Sequence, residues 1–215
     1  VSAINFGNVT IGTTGNQPLT ISNPGTGKLI ISAFNFTNPR FSITPSVVPD
    51  TIQPGGSKNY TVGFTPLVYD STSGALNISS NDLANPVKTV TLTGRGVFNG
   101  AYIGLSALTF SFNSKRVNSL NGFTFDITNQ GTQPLTINSC SFSTARYRYD
   151  TTNARFPITI NPQSTRTLRI WFNPNSAGTF NDSAIFQTNA VNNSSANISL
   201  SGTGIEVASV LGNIV

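Results

Sequence analysis

Through the first half of the chain, apolar residues fall on alternate positions: Leu19 and Ile21, Leu29 and Ile31, Tyr60, Val62 and Phe64, Leu76 and Ile78, then Val90 and Leu92. A period of two puts such residues on one face of an extended strand, whereas a helix would space them three and four apart. The pattern predicts short, half-buried strands, and no segment carries a helical period. Asn23-Pro24-Gly25 and Pro54-Gly55-Gly56 read as turns, since proline presets φ near −65° and glycine accepts positive φ. Phe64-Thr65-Pro66 and Phe172-Asn173-Pro174 read as strand ends, because proline has no N–H to give a ladder.

The plan occurs twice. Ser2, Ala3, Ile4 and Phe6 recur as Ser106, Ala107, Leu108 and Phe110, at an offset of about 104. Leu19, Ile21, Asn23, Gly25, Leu29 and Ile31 recur as Phe125, Ile127, Asn129, Gly131, Leu135 and Ile137. From Ile52, Pro54, Phe64 and Pro66, matched by Ile160, Pro162, Phe172 and Pro174, the offset settles at about 108. Asn81, Val90, Leu92, Gly94 and Gly96 match Asn189, Ile198, Leu200, Gly202 and Gly204. A drifting offset means longer loops in the second copy. The expected architecture is all-β: two tandem immunoglobulin-like antiparallel β-sandwiches of about seven strands each, over 1–97 and 98–204, with a C-terminal extra strand in the apolar tail 205–215.

The order Ile4-x-Phe6-Gly7-Asn8-Val9-x-x-Gly12, Leu19-x-Ile21-x-Asn23-x-Gly25, Ile52-x-Pro54-Gly55-x-Ser57, Phe64-x-Pro66, Ser79-Ser80-Asn81-Asp82 and Leu92-x-Gly94-x-Gly96 resembles the Hydin-type (ASH) immunoglobulin-like domain, in its bacterial tandem form known as choice-of-anchor D. The second copy departs from it at Ser111-Phe112, where Gly7-Asn8 would stand, and at Pro162-Gln163 in place of Pro54-Gly55. The resemblance implies a bacterial, exported, repeat-bearing surface or secreted protein, with relatives elsewhere that act as scaffolds. It implies no activity.

Composition narrows the picture further. Charged residues are 9% of the chain, against roughly 25% in soluble proteins generally, and fifteen Phe supply core material. The net charge is +5, but the basic residues of the first half, Lys28, Arg40, Lys58, Lys88 and Arg95, are scattered among Asp50, Asp70 and Asp82. That argues against a nucleic-acid partner, which calls for clustered cations. A single Cys140 closes no disulfide within the chain, and no apolar run is long enough for a membrane span. Met is absent, which leads us to expect that an N-terminal segment is removed and that the protein is secreted or on the cell surface.

Chemistry is sparse. There is no His, so no imidazole base or ligand, and the seven acidic residues, Asp50, Asp70, Asp82, Asp126, Asp150, Asp182 and Glu206, form no closely spaced oxygen set. Asn81-Asp82 is the nearest approach to a cation site. The reading is of a non-enzyme without a cofactor or metal. Sequons such as Asn8-Val9-Thr10 recur at about the frequency that chance gives in a chain this rich in Asn, Ser and Thr.

Two features concentrate the remaining signal. Arg146, Tyr147, Arg148, Tyr149 and Arg155, near Arg166, Arg169 and Trp171, can either form a ligand or subunit contact or serve as packing. The tail is almost uniformly apolar, and Ile205, Val207, Val210, Leu211, Ile214 and Val215 are candidates for a strand added to a neighbouring subunit; folding back on the second domain, or opening a third repeat, are the alternatives. The leading expectation is an exported structural protein, a subunit of an extracellular fibre or surface layer or the spacer of an adhesin, forming a homo-oligomer or polymer. The rivals are a surface module that binds polysaccharide or another anion through the Arg/Tyr cluster, and an intracellular scaffold.

Overall fold

The alternating stretches become strands, and among the described residues there is no helix. The computed structural model describes residues 1–152 and 155–207. The chain divides into two units, Val1–Phe98 and the residues from Asn99 onward. No helix among the described residues is long and apolar enough to cross a membrane.

The first unit contains β1 (Ala3–Thr10), β2 (Gly15–Ser22), β3 (Leu29–Phe36), β4 (Phe41–Thr44), β5 (Asp50–Ile52), β6 (Ser57–Phe64), β7 (Ser71–Ser80) and β8 (Val87–Val97). A five-stranded sheet of order β1-β8-β7-β3-β5 faces a three-stranded sheet of order β2-β6-β4. The inward members of each alternation, among them Leu19, Ile31, Val62, Phe64, Leu76 and Leu92, form one core. Removing an aromatic or branched side chain of this size from water contributes about 1.5–3 kcal/mol.

The second unit repeats the plan with β9 (Ile103–Leu105), β10 (Thr109–Arg116), β11 (Asn121–Asn129), β12 (Leu135–Ser141), β13 (Tyr147–Tyr149), β14 (Ile158–Ile160), β15 (Thr165–Phe172), β16 (Gly178–Thr188) and β17 (Ser195–Ile205). Its sheets run β10-β17-β16-β12-β14 and β13-β15-β11-β9. Eight strands and nine therefore replace the expected seven or so, the surplus being three-residue edge strands and β9.

Three expectations need correction. Not every pairing is antiparallel: β1 runs parallel to β8, and β10 parallel to β17. No hairpin constrains these first strands, because the chain next crosses to the opposite sheet. The opening match also shifts by two residues. Ile4 pairs with Leu92 and Phe110 with Leu200, so Ile4 corresponds to Phe110 and Phe6 to Phe112, and Leu108 is exposed. A shift of two leaves every side chain on its own face, so the alternation could not reveal it. Lastly, Ile205 is no free tail: it closes β17 opposite Arg116, and its carbonyl accepts a 2.9 Å bond from Val117 N–H.

With the shift, Asn113 stands where Gly7 does, and their φ values of 55° and 63° agree. Each sits in a bulge of its edge strand, and Asn adopts the left-handed region more readily than most residues. Gln163 likewise copies Gly55, at 60° against 71°. Both departures of the second copy therefore keep the turn geometry.

One buried side chain per unit ties the sheets together. Asn23 Nδ2 donates to the carbonyls of Gly27 and Ile52, and its Oδ1 accepts from Gly25 N–H. Asn129 repeats this with Gln133, Ile160 and Gly131. The repeated exit glycines have a steric reason: a Cβ on Gly96 would lie 2.2 Å from the Val68 carbonyl oxygen, and one on Gly204 2.2 Å from that of Ser176. Losing the Asn side chain strands several buried polar atoms, at about 1–3 kcal/mol for each left unsatisfied. We predict that Asn23→Ala and Asn129→Ala each lower the denaturant midpoint of their own domain, by a free energy of about 2–4 kcal/mol; an unchanged midpoint would remove the asparagine from this role.

Candidate functional site

Strand β15 reads Thr-Arg-Thr-Leu-Arg-Ile-Trp-Phe, and the alternation sends Leu168, Ile170 and Phe172 into the core and Arg169 and Trp171 outward. Register brings further groups beside them. Trp171 pairs with Gly122 on β11 and with Arg148 on β13, and Arg169 pairs with Thr124. A Cβ on Gly122 would come within 2.8 Å of Trp171 Cζ3 and 3.3 Å of Arg169 Cδ, so the missing side chain is what lets the indole lie across β11. The Arg169 guanidinium sits over the indole at 5.0 Å from its centroid. Trp171 is half-buried, while Arg148 and Arg169 are exposed.

Beside this platform the loops after β12 and β13 enclose an open depression of about 850 Å³, lined by Arg148, Tyr149, Arg169 and Trp171 together with Phe142 and Thr144. Asp182 holds its wall. Ser143 and Thr144 each donate a backbone N–H and a hydroxyl to the Asp182 carboxylate, at 2.7–2.9 Å. Burial alone would raise the pKa of Asp182, but the hydrogen bonds from Ser143, Ser183 and Thr144 outweigh it and hold the carboxyl below the usual range. Asp150 is buried in the floor, where its Oδ1 accepts from the Thr152 N–H and hydroxyl. Cys140 also lines the depression, and burial pushes its thiol up to about 12, which keeps it protonated and unreactive.

The structure separates the residues that the sequence grouped. Arg148, Tyr149 and Trp171 line one depression, Tyr149 with its ring edge-on to Phe156 at 4.9 Å. Tyr147 borders the same depression but takes the packing role that the sequence had left open. It is a core residue, stacked on Phe172 at 4.8 Å with its hydroxyl donating to the Phe180 carbonyl, and burial pushes its phenol up to about 12. The period of β13 turns Tyr147 away from the face that carries Arg148, and of the three residues Tyr147 alone is buried.

Arg146 is likewise structural, with its guanidinium over the Phe180 ring at 5.5 Å. It occupies the place of Arg40, since their carbonyls accept from Asn173 and Thr65 respectively. Arg40 binds the Asp70 carboxylate at 2.8 Å and the Thr72 hydroxyl; the second copy has Gly178 and Phe180 at those positions. Arg155 is exposed and outside the lining. Of the tail residues, Val207 is exposed beyond β17, and Val210, Leu211, Ile214 and Val215 lie outside the described residues.

Gly122 is the residue that sequence reasoning missed. A glycine inside a strand signals close approach of another group, and Asn121-Gly122-Phe123 carried that sign. Chemically the platform offers two cations and a π-face. Among the described residues there is no group of three His, Cys, Asp or Glu side chains able to hold a metal, and the Asn81 amide is engaged with the backbone of Lys28 and Ile30.

A family model described as HYDIN/CFA65/VesB-like, Ig-like domain matches residues 1–95. No curated protein sequence matches the chain. Among solved structures it is similar to a protein of unknown function from Porphyromonas gingivalis W83, at 12% identity and a TM-score of 0.41, over 91% of this chain and 93% of that one. It is also similar to the ASH / PapD-like domain 7 of human CEP192, at 12% identity and a TM-score of 0.43, over 50% of this chain and 88% of that one. The secreted serine protease VesC from Vibrio cholerae matches at 9% identity and a TM-score of 0.37, over 81% of this chain and 46% of the protease.

Because Trp171 is the sole tryptophan, its emission reports the platform directly. Gly122→Val is expected to displace the indole and move the emission to longer wavelength, while overpacking lowers stability by about 1–3 kcal/mol; an unshifted spectrum would show that the ring does not rest on β11.

Proposed function

We infer that this chain, whose residues 1–95 match the HYDIN/CFA65/VesB-like, Ig-like domain model, is a non-catalytic, exported structural protein, a subunit of an extracellular fibre or surface layer or the spacer of an adhesin. The observation that carries this reading is where the carboxylates go. Asp50 accepts from Lys58 at 2.6 Å and from the Tyr60 hydroxyl at 2.7 Å. Asp70 binds Arg40, Asp126 accepts from Thr167, Asp150 from Thr152, and Asp182 anchors the loop at Ser143 and Thr144. The hydrogen bond from Lys58, with that from Tyr60, holds the Asp50 carboxyl below its usual range. Acids engaged in this way cross-link strands and loops, so they are poor candidates for moving protons in a reaction.

Edges support assembly without aggregation. β5, β13 and β14 are only three residues long, and β1 and β10 are broken by bulges, devices that blunt indiscriminate pairing. Low surface charge limits repulsion between packed copies. Negative-stain electron microscopy of the purified chain is expected to show regular fibres or sheets; monodisperse single particles at every concentration would overturn the structural reading.

A second reading has its own support in the outward Arg148, Trp171 and Arg169, which suit an acidic polysaccharide that stacks a sugar on the indole and places its anions between the guanidinium groups. Titration with uronic-acid or sulfated oligosaccharides is expected to change the Trp171 emission, and Arg148→Ala to weaken binding by about tenfold; identical affinity in the variant would end this reading.

A further inference from the structure

Strand β6 carries its inward alternation out to the rim of the first domain. Phe64, Val62 and Tyr60 are buried in the core, and the next position on that face is Lys58. Strand β5 places Asp50 in the same way, two residues before the buried Ile52. Because β5 belongs to the five-stranded sheet and β6 to the three-stranded one, the contact between Asp50 and Lys58 spans the gap between the sheets. Its surroundings are apolar: Ile31 lies opposite Asp50, Ile21 opposite Lys58, and Phe34 meets the Tyr60 ring edge-on at 5.3 Å.

Two donors converge on one carboxyl. Lys58 Nζ donates to Asp50 Oδ1 at 2.6 Å, and the Tyr60 hydroxyl donates to Oδ2 at 2.7 Å. The Asp50 side chain is only 11% exposed, and charges withdrawn this far from water cost free energy that their attraction only partly returns. Burial, with Asp50 adding to it, pushes the Tyr60 phenol up, so the hydroxyl keeps its proton and stays a donor. Among the described residues, Lys58 is the one lysine paired with an acid. The second domain has none of the three: at the same register Ile158, Arg166 and Leu168 stand for Asp50, Lys58 and Tyr60. Arg166 keeps the charge, but a guanidinium is never deprotonated in a protein and so is no nucleophile.

We propose that Lys58 and Asp50 condense to an intramolecular amide, a covalent tie between the two sheets of the first domain, with the Tyr60 hydroxyl as hydrogen-bond donor to the reacting carboxyl. The proton in the Lys58–Asp50 hydrogen bond passes from Nζ to Oδ1, which leaves a neutral amine against a neutral acid. The Nζ lone pair then attacks Cγ, and Tyr60 stabilises the charge that grows on Oδ2. As the Cγ–Oδ2 double bond reforms, the Cγ–Oδ1 bond breaks, and Oδ1 departs as water with the first proton and a second one from Nζ. Ammonium and carboxylate have become amide and water, with no oxidant, reductant or cofactor. Holding amine and acid in contact removes the entropy of encounter that makes this condensation slow in solution, and the product leaves no charge between the sheets. The step occurs once per chain, so it is a modification and not a turnover. In a chain whose single cysteine closes no internal disulfide, it fixes the crossover from β5 to β6.

Intact-mass spectrometry of the full chain tests this, and it reads a single chain, so the result is independent of whether copies assemble. The chain is expected to weigh about 18 Da less than its sequence, the mass of one water. Trypsin should fail to cut after Lys58 and leave residues 41–88 as one fragment carrying the deficit. Lys58→Arg should restore the full mass, and Asp50→Asn should lose ammonia instead, about 17 Da. Tyr60→Phe keeps a ring in the core and is expected to lengthen the time taken to lose the mass by at least about tenfold. Circular dichroism verifies that each variant is folded. A chain that keeps its full mass on prolonged incubation overturns the proposal, and so does a deficit that survives Lys58→Arg, which would put the lost water elsewhere. An unchanged rate in Tyr60→Phe overturns the part given to the tyrosine.

Discussion

One buried asparagine in each domain carries the constraint on which the sandwich depends. Asn23 sits where the chain passes from β2 in one sheet to β3 in the other, and it binds the Ile52 carbonyl at the end of β5, just before the chain returns to β6. Its backbone joins in: the N–H donates to the Gly56 carbonyl, and its own carbonyl accepts from Gly55. Two crossovers between the sheets are thereby pinned to each other. Asn129 repeats the tie with Ser164 and Gln163, and its Oδ1 accepts one more bond, from Tyr102. A side chain of this kind cannot be exchanged for an apolar one, since every backbone group it satisfies would be left buried without a partner.

With the crossovers held, the rest of each domain can vary, and the two copies show how far. Arg40 faces an acid, while Arg146 in the same place faces a ring, so an ion pair and a cation–π contact serve one structural end. The turn that uses Gly55 in one copy uses Gln163 in the other at almost the same φ. Variation of this sort has also made one sheet face distinctive. Gly122 opens room for Trp171, Arg169 covers the indole, and Arg148 borders it across the strand. The first domain has Asn16 at the position of Gly122 and no tryptophan at all.

Much of this was legible in the residues. The alternation located the strands, and proline and glycine located the turns; Asn23 and Asn129 stood out only as matched positions, and their tie between the sheets came from the contacts. The site was only partly legible. Arg148, Tyr149 and Trp171 were picked out by residue type, but type could not tell them from Tyr147, which faces the core, or from Arg146, which packs on Phe180. Gly122 acquires its meaning only through the indole that crosses it.

By itself, then, the sequence determined the fold class, the duplication and the absence of imidazole chemistry, because these depend on local period, spacing and residue inventory. Tertiary structure alone decided that β1 runs parallel to β8 and β10 to β17, that the opening match slides by two residues, and that Ile205 belongs to β17. The physical reason is common to all three. A period of two states which face a side chain takes, and it is silent about which strand lies alongside, in which direction and at what offset. Those choices follow from hydrogen bonds between segments far apart in the chain, and they exist only once the sheets have closed on their core.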